Sequence, residues 1–256
     1  MPEGTDLLPP LPNDWAQTAP IVGVDGARGG WLAAVLLPDG EADLLLFGRF
    51  ADLVTELPDD AVIAVDMPIG LPDRSGPKGR APERLVRPLL GPRRSSVFSI
   101  PSRNAVYSTD YREGCALARQ TSDPSRAFAR QAFHIFPKIR EIDVVLQARP
   151  TLCERIIEVH PELAFATLNA GKPMLYAKRK RIGGMHPGLD ERRILLERAG
   201  LPIRLVESIP RGAEQDDALD ALACLAVAAR FRMGLARPYP DPPEHDSHGL
   251  PIAIWA

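Results

Sequence analysis

The stretch IVGVDGARGGWLAAVLLPDGEADLLLF, residues 21–47, decides the fold. IVGVD (21–25) is short, apolar and β-branched, and the turn-forming GARGG (26–30) ends it, as expected of a buried strand. WLAAVLL (31–37) repeats the pattern, PDG (38–40) is hairpin-turn chemistry, and ADLLLF (42–47) supplies a third strand. An antiparallel meander is therefore predicted. A short helix at about 49–57 leads to AVIAVD (61–66), another buried strand that finishes on an aspartate, as the first one does.

Downstream the rhythm changes. Residues 67–150 read as a helical, Arg- and Pro-rich insertion layered on the sheet, with helices near 110–121 and 125–149. ERIIEVHPE (154–162) returns to strand character with Glu158 near its end, and ELAFATLN (162–169) is helical. A basic loop (172–186) precedes a helix at about 188–199, closed by Gly200. LPIRLVESI (201–209) is expected to add a short strand, and a long helix covers 214–234. The expected organisation is a flexible tail (1–19), a single α/β domain with its insertion (20–236), and a Pro-rich C-terminal tail (237–256) whose final IAIWA docks on the body.

Composition sets broad limits. With 45% apolar and 25% charged residues, the chain can build its own core as a soluble protein. A net charge of −2 gives no global attraction to polyanions, and 26 of its 31 cations are Arg, so basic patches carry reduced weight. Cys115, Cys153 and Cys224 are odd in number and scattered, which argues against disulfides or a zinc site and for a reducing compartment. No basic segment followed by an apolar run opens the chain, and no stretch has the length of a membrane span. A cytoplasmic protein without membrane contact is expected.

The acids carry the chemistry. EQDDALDALACLAVAARF (214–231) is apolar almost all round, yet opens with Asp216, Asp217 and Asp220. Asp217 and Asp220 are spaced i, i+3 and share a face. Asp25, Asp66 and Glu158 stand at or near the ends of three strands, where sites of α/β proteins gather. Five converging carboxylates repel unless cations bind, and two divalent ions about 4 Å apart are a known solution for phosphodiester chemistry. Oxygen ligands suit Mg²⁺ or Mn²⁺. Each acid also has a plainer reading: Asp216 and Asp217 favour the positive end of a helix, Asp25 and Asp66 suit turns, and Glu158 can pair with an Arg.

Taken together, VGVDGARGGW (22–31), VDMPIGLP (65–72), GPRRSSVFSIPSR (91–103), QAFHIFPKIREID (131–143), EVHPELAF (158–165) and DDALDALA (216–223) resemble the domain-of-unknown-function 429 family, described as predicted RNase H-like nucleases. The DALDALA segment is also distantly similar to the C-terminal helix motif of Holliday-junction resolvases. The resemblance implies a ribonuclease H-like fold: a mixed central sheet with three antiparallel leading strands and helices on both faces. It implies metal ligands at Asp25, Asp66, Asp217 and Asp220. Glu158 joins them as a further catalytic candidate, although its EVHPE motif has no clear resolvase counterpart.

Around these, Arg93, Arg94 and Arg103 lie in a segment (74–103) with eight cations and one acid, and Lys138 and Arg140 lie in PKIRE. All five are candidates for holding substrate phosphate, with surface solvation the plain alternative. His160 is a candidate general acid or supporting partner of a carboxylate, and Asp216 a supporting acid. KRKR (178–181) is a second basic patch, and the HxxH pair of His245 and His248 lies in the Pro-rich tail. Aromatic residues are few and do not interleave with the basic runs, so a single-strand stacking platform is not expected. The expectation is a Mg²⁺- or Mn²⁺-dependent nuclease acting on DNA or RNA through two ions. The alternatives are an actin-like phosphotransferase, which requires two facing lobes, and a non-catalytic nucleic-acid-binding module.

Overall fold

The first three strands form the expected meander in the computed structural model, which describes residues 20–256; the predicted tail at 1–19 lies outside the described residues. β1 (Ile21–Ala27), β2 (Gly30–Leu36) and β3 (Ala42–Phe47) pair antiparallel in sequence. Helix α1 (Phe50–Glu56) crosses to β4 (Val62–Val65), which pairs parallel to β1. The insertion then supplies α2 (Ala81–Leu89), a 3₁₀ turn (Gly91–Ser96), α3 (Arg103–Tyr107), α4 (Tyr111–Gln120) and α5 (Arg130–Ala148). β5 (Ile156–Val159), α6 (Pro161–Leu168), α7 (Pro187–Arg198) and α8 (Gln215–Arg232) follow. The chain ends in β6 (Pro238–His245) and β7 (Pro251–Trp255). The result is one mixed seven-stranded sheet in the order β3-β2-β1-β4-β5-β7-β6.

Two segments differ from expectation. Residues 201–209 form a 3₁₀ turn (Ile203–Glu207) rather than a strand, with Leu205 and Val206 turned into the core. The C-terminal tail does more than dock: β7 pairs parallel to β5, and β6 closes the sheet as an edge strand. An edge is where a proline-rich strand is tolerated, because its missing N–H groups face no partner. Asp246, in the turn between β6 and β7, accepts the Leu71 N–H at 2.9 Å and the Arg103 guanidinium at 2.6 Å, which ties the hairpin to the insertion.

The two-residue period of the strands sends alternate side chains to opposite faces. On β1 and β4, Val22, Val24, Ile63 and Val65 pack with α1 and α5 on one face. Ile21, Val62 and Ala64 pack with α6, α7 and α8 on the other. Helix α8 is buried from Ala218 to Arg230, which accounts for its apolar character all round. It lies so close to β1 that a Cβ added at Gly23 would fall 2.0 Å from the Ala221 carbonyl oxygen. No helix among the described residues is long and apolar enough to cross a membrane.

Candidate metal centre

Strand alternation builds the site. Asp25 continues the parity of Ile21 and Gly23, and Asp66 that of Val62 and Ala64, so both carboxylates belong to the α8 face of the sheet. Parallel pairing of Val24 with Val65 brings the two acids side by side, and the Asp66 N–H donates to the Val24 carbonyl at 2.9 Å. From above, α8 contributes Asp220. One carboxylate oxygen from each of Asp25, Asp66 and Asp220 lies within 4.8 Å of the others. Asp25 and Asp220 are 8% and 4% exposed and Asp66 is half-buried.

Electrostatics follows from that crowding. Burial pushes the Asp25 carboxyl well above its ordinary range, and the neighbouring Asp66 charge pushes it further. Burial also raises Asp66, against the opposing pull of His160 and Lys178. Asp25 accepts the Gly26 N–H at 2.7 Å. Asp220 binds the Lys178 ammonium through Oδ2, while its buried Oδ1 has no hydrogen-bond partner. A buried carboxylate oxygen left unpaired is unfavourable for folding alone and fits a ligand position. The donor set is oxygen only, as hard divalent ions such as Mg²⁺ and Mn²⁺ require.

Not every acid of the sequence reading joins this group. Asp217 is engaged at the start of α8, where its Oδ2 accepts the Glu214 N–H at 2.9 Å in a capping box; the i, i+3 geometry holds, but the carboxylate serves the helix. Glu158 has the opposite parity to Ile157 and Val159, which face α8, and so points to the other side of the sheet. There it meets Arg80 at 2.6 Å and accepts the Ile69 N–H at 2.8 Å. Asp216 lines the cavity rim and pairs with Arg179 at 3.3 Å.

The basic candidates divide in the same way. Lys138 and Arg93 line a cavity of about 770 Å³ that opens over the carboxylates. The Lys138 stem lies against Gly26, where an added Cβ would fall 2.8 Å from it, and its ammonium donates to the Gly30 carbonyl and sits 4.4 Å from the Trp31 ring centre. Arg94 is exposed and outside that lining. Arg103 is held between Asp143 and Asp246, and Arg140 donates to the carbonyls of Val106 and Ser108 at 2.9 and 3.1 Å; both tie the insertion together rather than face the acids. His160 occupies the N-cap position of α6 without a side-chain capping bond, lines the cavity and has an unpaired buried Nδ1.

Three participants lacked an individual sequence signal. Lys178 sits within the KRKR run, and only the folded loop carries it to Asp220. Glu162 lines the cavity from α6, pairs with the fully buried Arg192, and adds negative charge near Asp66. Arg80 supports the cavity wall by gripping Glu83, Glu158 and the Ile69 carbonyl. Replacing Arg80 by alanine leaves two buried carboxylates without their cation, so Arg80→Ala is expected to lose about 3–5 kcal/mol of stability, the usual cost of breaking a buried pair from one side. A fall in the urea midpoint with an unchanged slope checks it.

These elements define a mixed α/β protein whose sheet and late helix bring three carboxylates together, with Asp25 and Asp66 lining a cavity. The chain belongs to the family described as protein of unknown function (DUF429), which matches residues 23–245. No curated protein and no solved structure matches it.

Proposed function

We propose that the chain is a metal-dependent nuclease with a ribonuclease H-like fold. The observation that carries this reading is the buried triad of Asp25, Asp66 and Asp220. The architecture supports it: three antiparallel strands, a helix, and a fourth strand parallel to the first, with acids near the C-terminal ends of the first and fourth strands and a third acid on a late helix. A single sheet, with no second lobe among the described residues, speaks against the actin-like phosphotransferase alternative.

Asp25, Asp66 and Asp220 would hold Mg²⁺ or Mn²⁺, which when bound supplies Lewis-acid activation of water and stabilises charge on the leaving oxygen. Asp217, which accepts the Glu214 N–H, would be the acid available to a second ion on leaving that bond. Arg93 and Lys138 hold the phosphate oxygens by charge-assisted hydrogen bonds. His160, next to Asp66 and with a free ring nitrogen, is placed to deliver a proton to the departing oxygen.

Purified protein with Mn²⁺ is expected to cleave DNA or RNA oligonucleotides, and Asp25→Asn to lose at least about a thousandfold of that rate, since metal catalysis contributes several kcal/mol. Cleavage that survives both chelation and Asp25→Asn, in preparations free of other nucleases, removes the reading.

A further inference from the structure

The cavity above the carboxylates has a size and lining that bear on what enters it. At about 770 Å³ it falls within the ~300–1,000 Å³ of sites that enclose one small-molecule-sized group. Asp25 and Asp66 line it, and Asp25 is only 8% exposed, so a reacting phosphate has to come in to reach them.

The walls differ in chemistry. Phe98 and Ile135 present apolar surface, while Arg28, Arg80, Arg93, Lys138, Lys178 and Arg179 present cations. Phe98 is the one Phe, Tyr or Trp among the described lining residues, so there is a stacking surface for a single base. Sites that track a single strand instead set successive aromatics along a basic groove. Sites that bind a duplex follow a backbone carrying a charge every ~1.7 Å, and use an open cationic face for it. Here one such ring and six cations, of which Arg80, Lys178 and Arg179 are paired with acids, surround one position over Asp25 and Asp66.

We infer that the site takes one nucleotide unit at a time, either the unpaired end of a strand or a small free phosphodiester, and does not cut within a closed strand or an intact duplex. The hydrolytic part of this rests on the metal-dependent nuclease reading; the single-nucleotide occupancy does not. In the reaction, the oxygen of water bonds to phosphorus as the P–O bond to the adjoining sugar oxygen breaks. One proton of the water ends on that oxygen as an alcohol, and the other stays with the phosphomonoester or passes to solvent.

The test uses the full chain with Mn²⁺ and four substrates: a linear single-stranded oligonucleotide, the same sequence closed into a circle, a supercoiled plasmid and a dinucleotide. Shortening of the linear strand from an end, or cleavage of the dinucleotide, with the circle and plasmid cut at least tenfold more slowly, is the expected result. Which of the two open substrates reacts assigns the source. A circle or plasmid cut as fast as the linear strand overturns the inference and leaves the nuclease reading intact.

Binding of AMP in the presence of Mn²⁺, measured by calorimetry, gives a readout independent of turnover. Phe98→Ala is expected to weaken it by about fivefold to a hundredfold, the span of base–aromatic stacking. Phe98→Leu, which keeps apolar volume without the ring, guards against simple misfolding and is expected to weaken it in the same direction. AMP binding without cleavage of any substrate ends the nuclease reading and supports single-nucleotide occupancy. No AMP binding, or equal affinity in wild type and both variants, overturns it.

Discussion

Gly23→Ala is expected to destabilise the protein more than any single methyl group has reason to. The new Cβ would stand 2.0 Å from the Ala221 carbonyl oxygen and 2.1 Å from the Leu225 amide nitrogen. Both are main-chain atoms of α8, so no side-chain rotation relieves the overlap. Either β1 or the buried helix has to move. Overpacking of a core by one or more methylenes costs about 1–3 kcal/mol where side chains can adjust, and here the loss should reach or exceed the top of that range. The movement also separates Asp220, the residue before Ala221, from Asp25, so Mn²⁺ affinity and stability should fall together. Gly48→Ala is the control: an added Cβ there meets nothing within 4 Å, and its effect should stay within about 1 kcal/mol. Urea titration of the three proteins decides it; equal midpoints for Gly23→Ala and wild type would show that α8 does not rest on β1 as described.

That contact explains why parts of the site were legible in the sequence and others were not. The meander and its two terminal aspartates follow from alternation and turn chemistry within 46 residues of chain (21–66), and the structure places Asp25 and Asp66 together by strand pairing alone. An Ala-rich helix interrupted by Asp220 also signals its own oddity. Glu158 misleads because it is an acid near a strand end like the other two, and only the face it takes separates them. Asp217 is ambiguous because cap and ligand share one residue type at one helix position, and here its carboxylate takes the cap. Arg103 and Arg140 look like phosphate ligands, but their partners are Asp143 and two carbonyls of the insertion and Asp246 of the β6–β7 turn, brought close by folding. Lys178 is a loop residue whose neighbour in space, Asp220, is 42 positions away in the chain, a relation that no local pattern encodes. The C-terminal strands were hidden by Pro238, Pro240, Pro242 and Pro243, which local propensity reads as irregular chain and an edge position accommodates.

Asp220→Asn is expected to abolish cleavage and yet melt no lower than wild type in chelator. Two features lead to this. Asp220 is 4% exposed, with one oxygen lacking any partner, and it shares its surroundings with the carboxylates of Asp25 and Asp66. Folding gains little from a third negative charge there, so the neutral amide relieves repulsion rather than removing support. Lys178, its side chain partly exposed, can turn its ammonium to water once Asp220 is neutral. With Mn²⁺ the order reverses. A ligand that binds only the folded state adds RT ln(1 + [L]/Kd), about 2.7 kcal/mol at a hundredfold excess over Kd, so the wild type gains a higher Tm and Asp220→Asn gains none. Lys178→Met separates the two roles from the other side. It removes the cation that competes for Asp220, so Mn²⁺ should bind more tightly than to the wild type. Apparent stability in chelator should fall, because the three acids then lack their internal counter-charge. Thermal shifts with and without Mn²⁺ on the three proteins read both effects at once. A Tm in chelator lower for Asp220→Asn than for the wild type would mean that the Lys178–Asp220 pair is built for stability and that the acids serve the core.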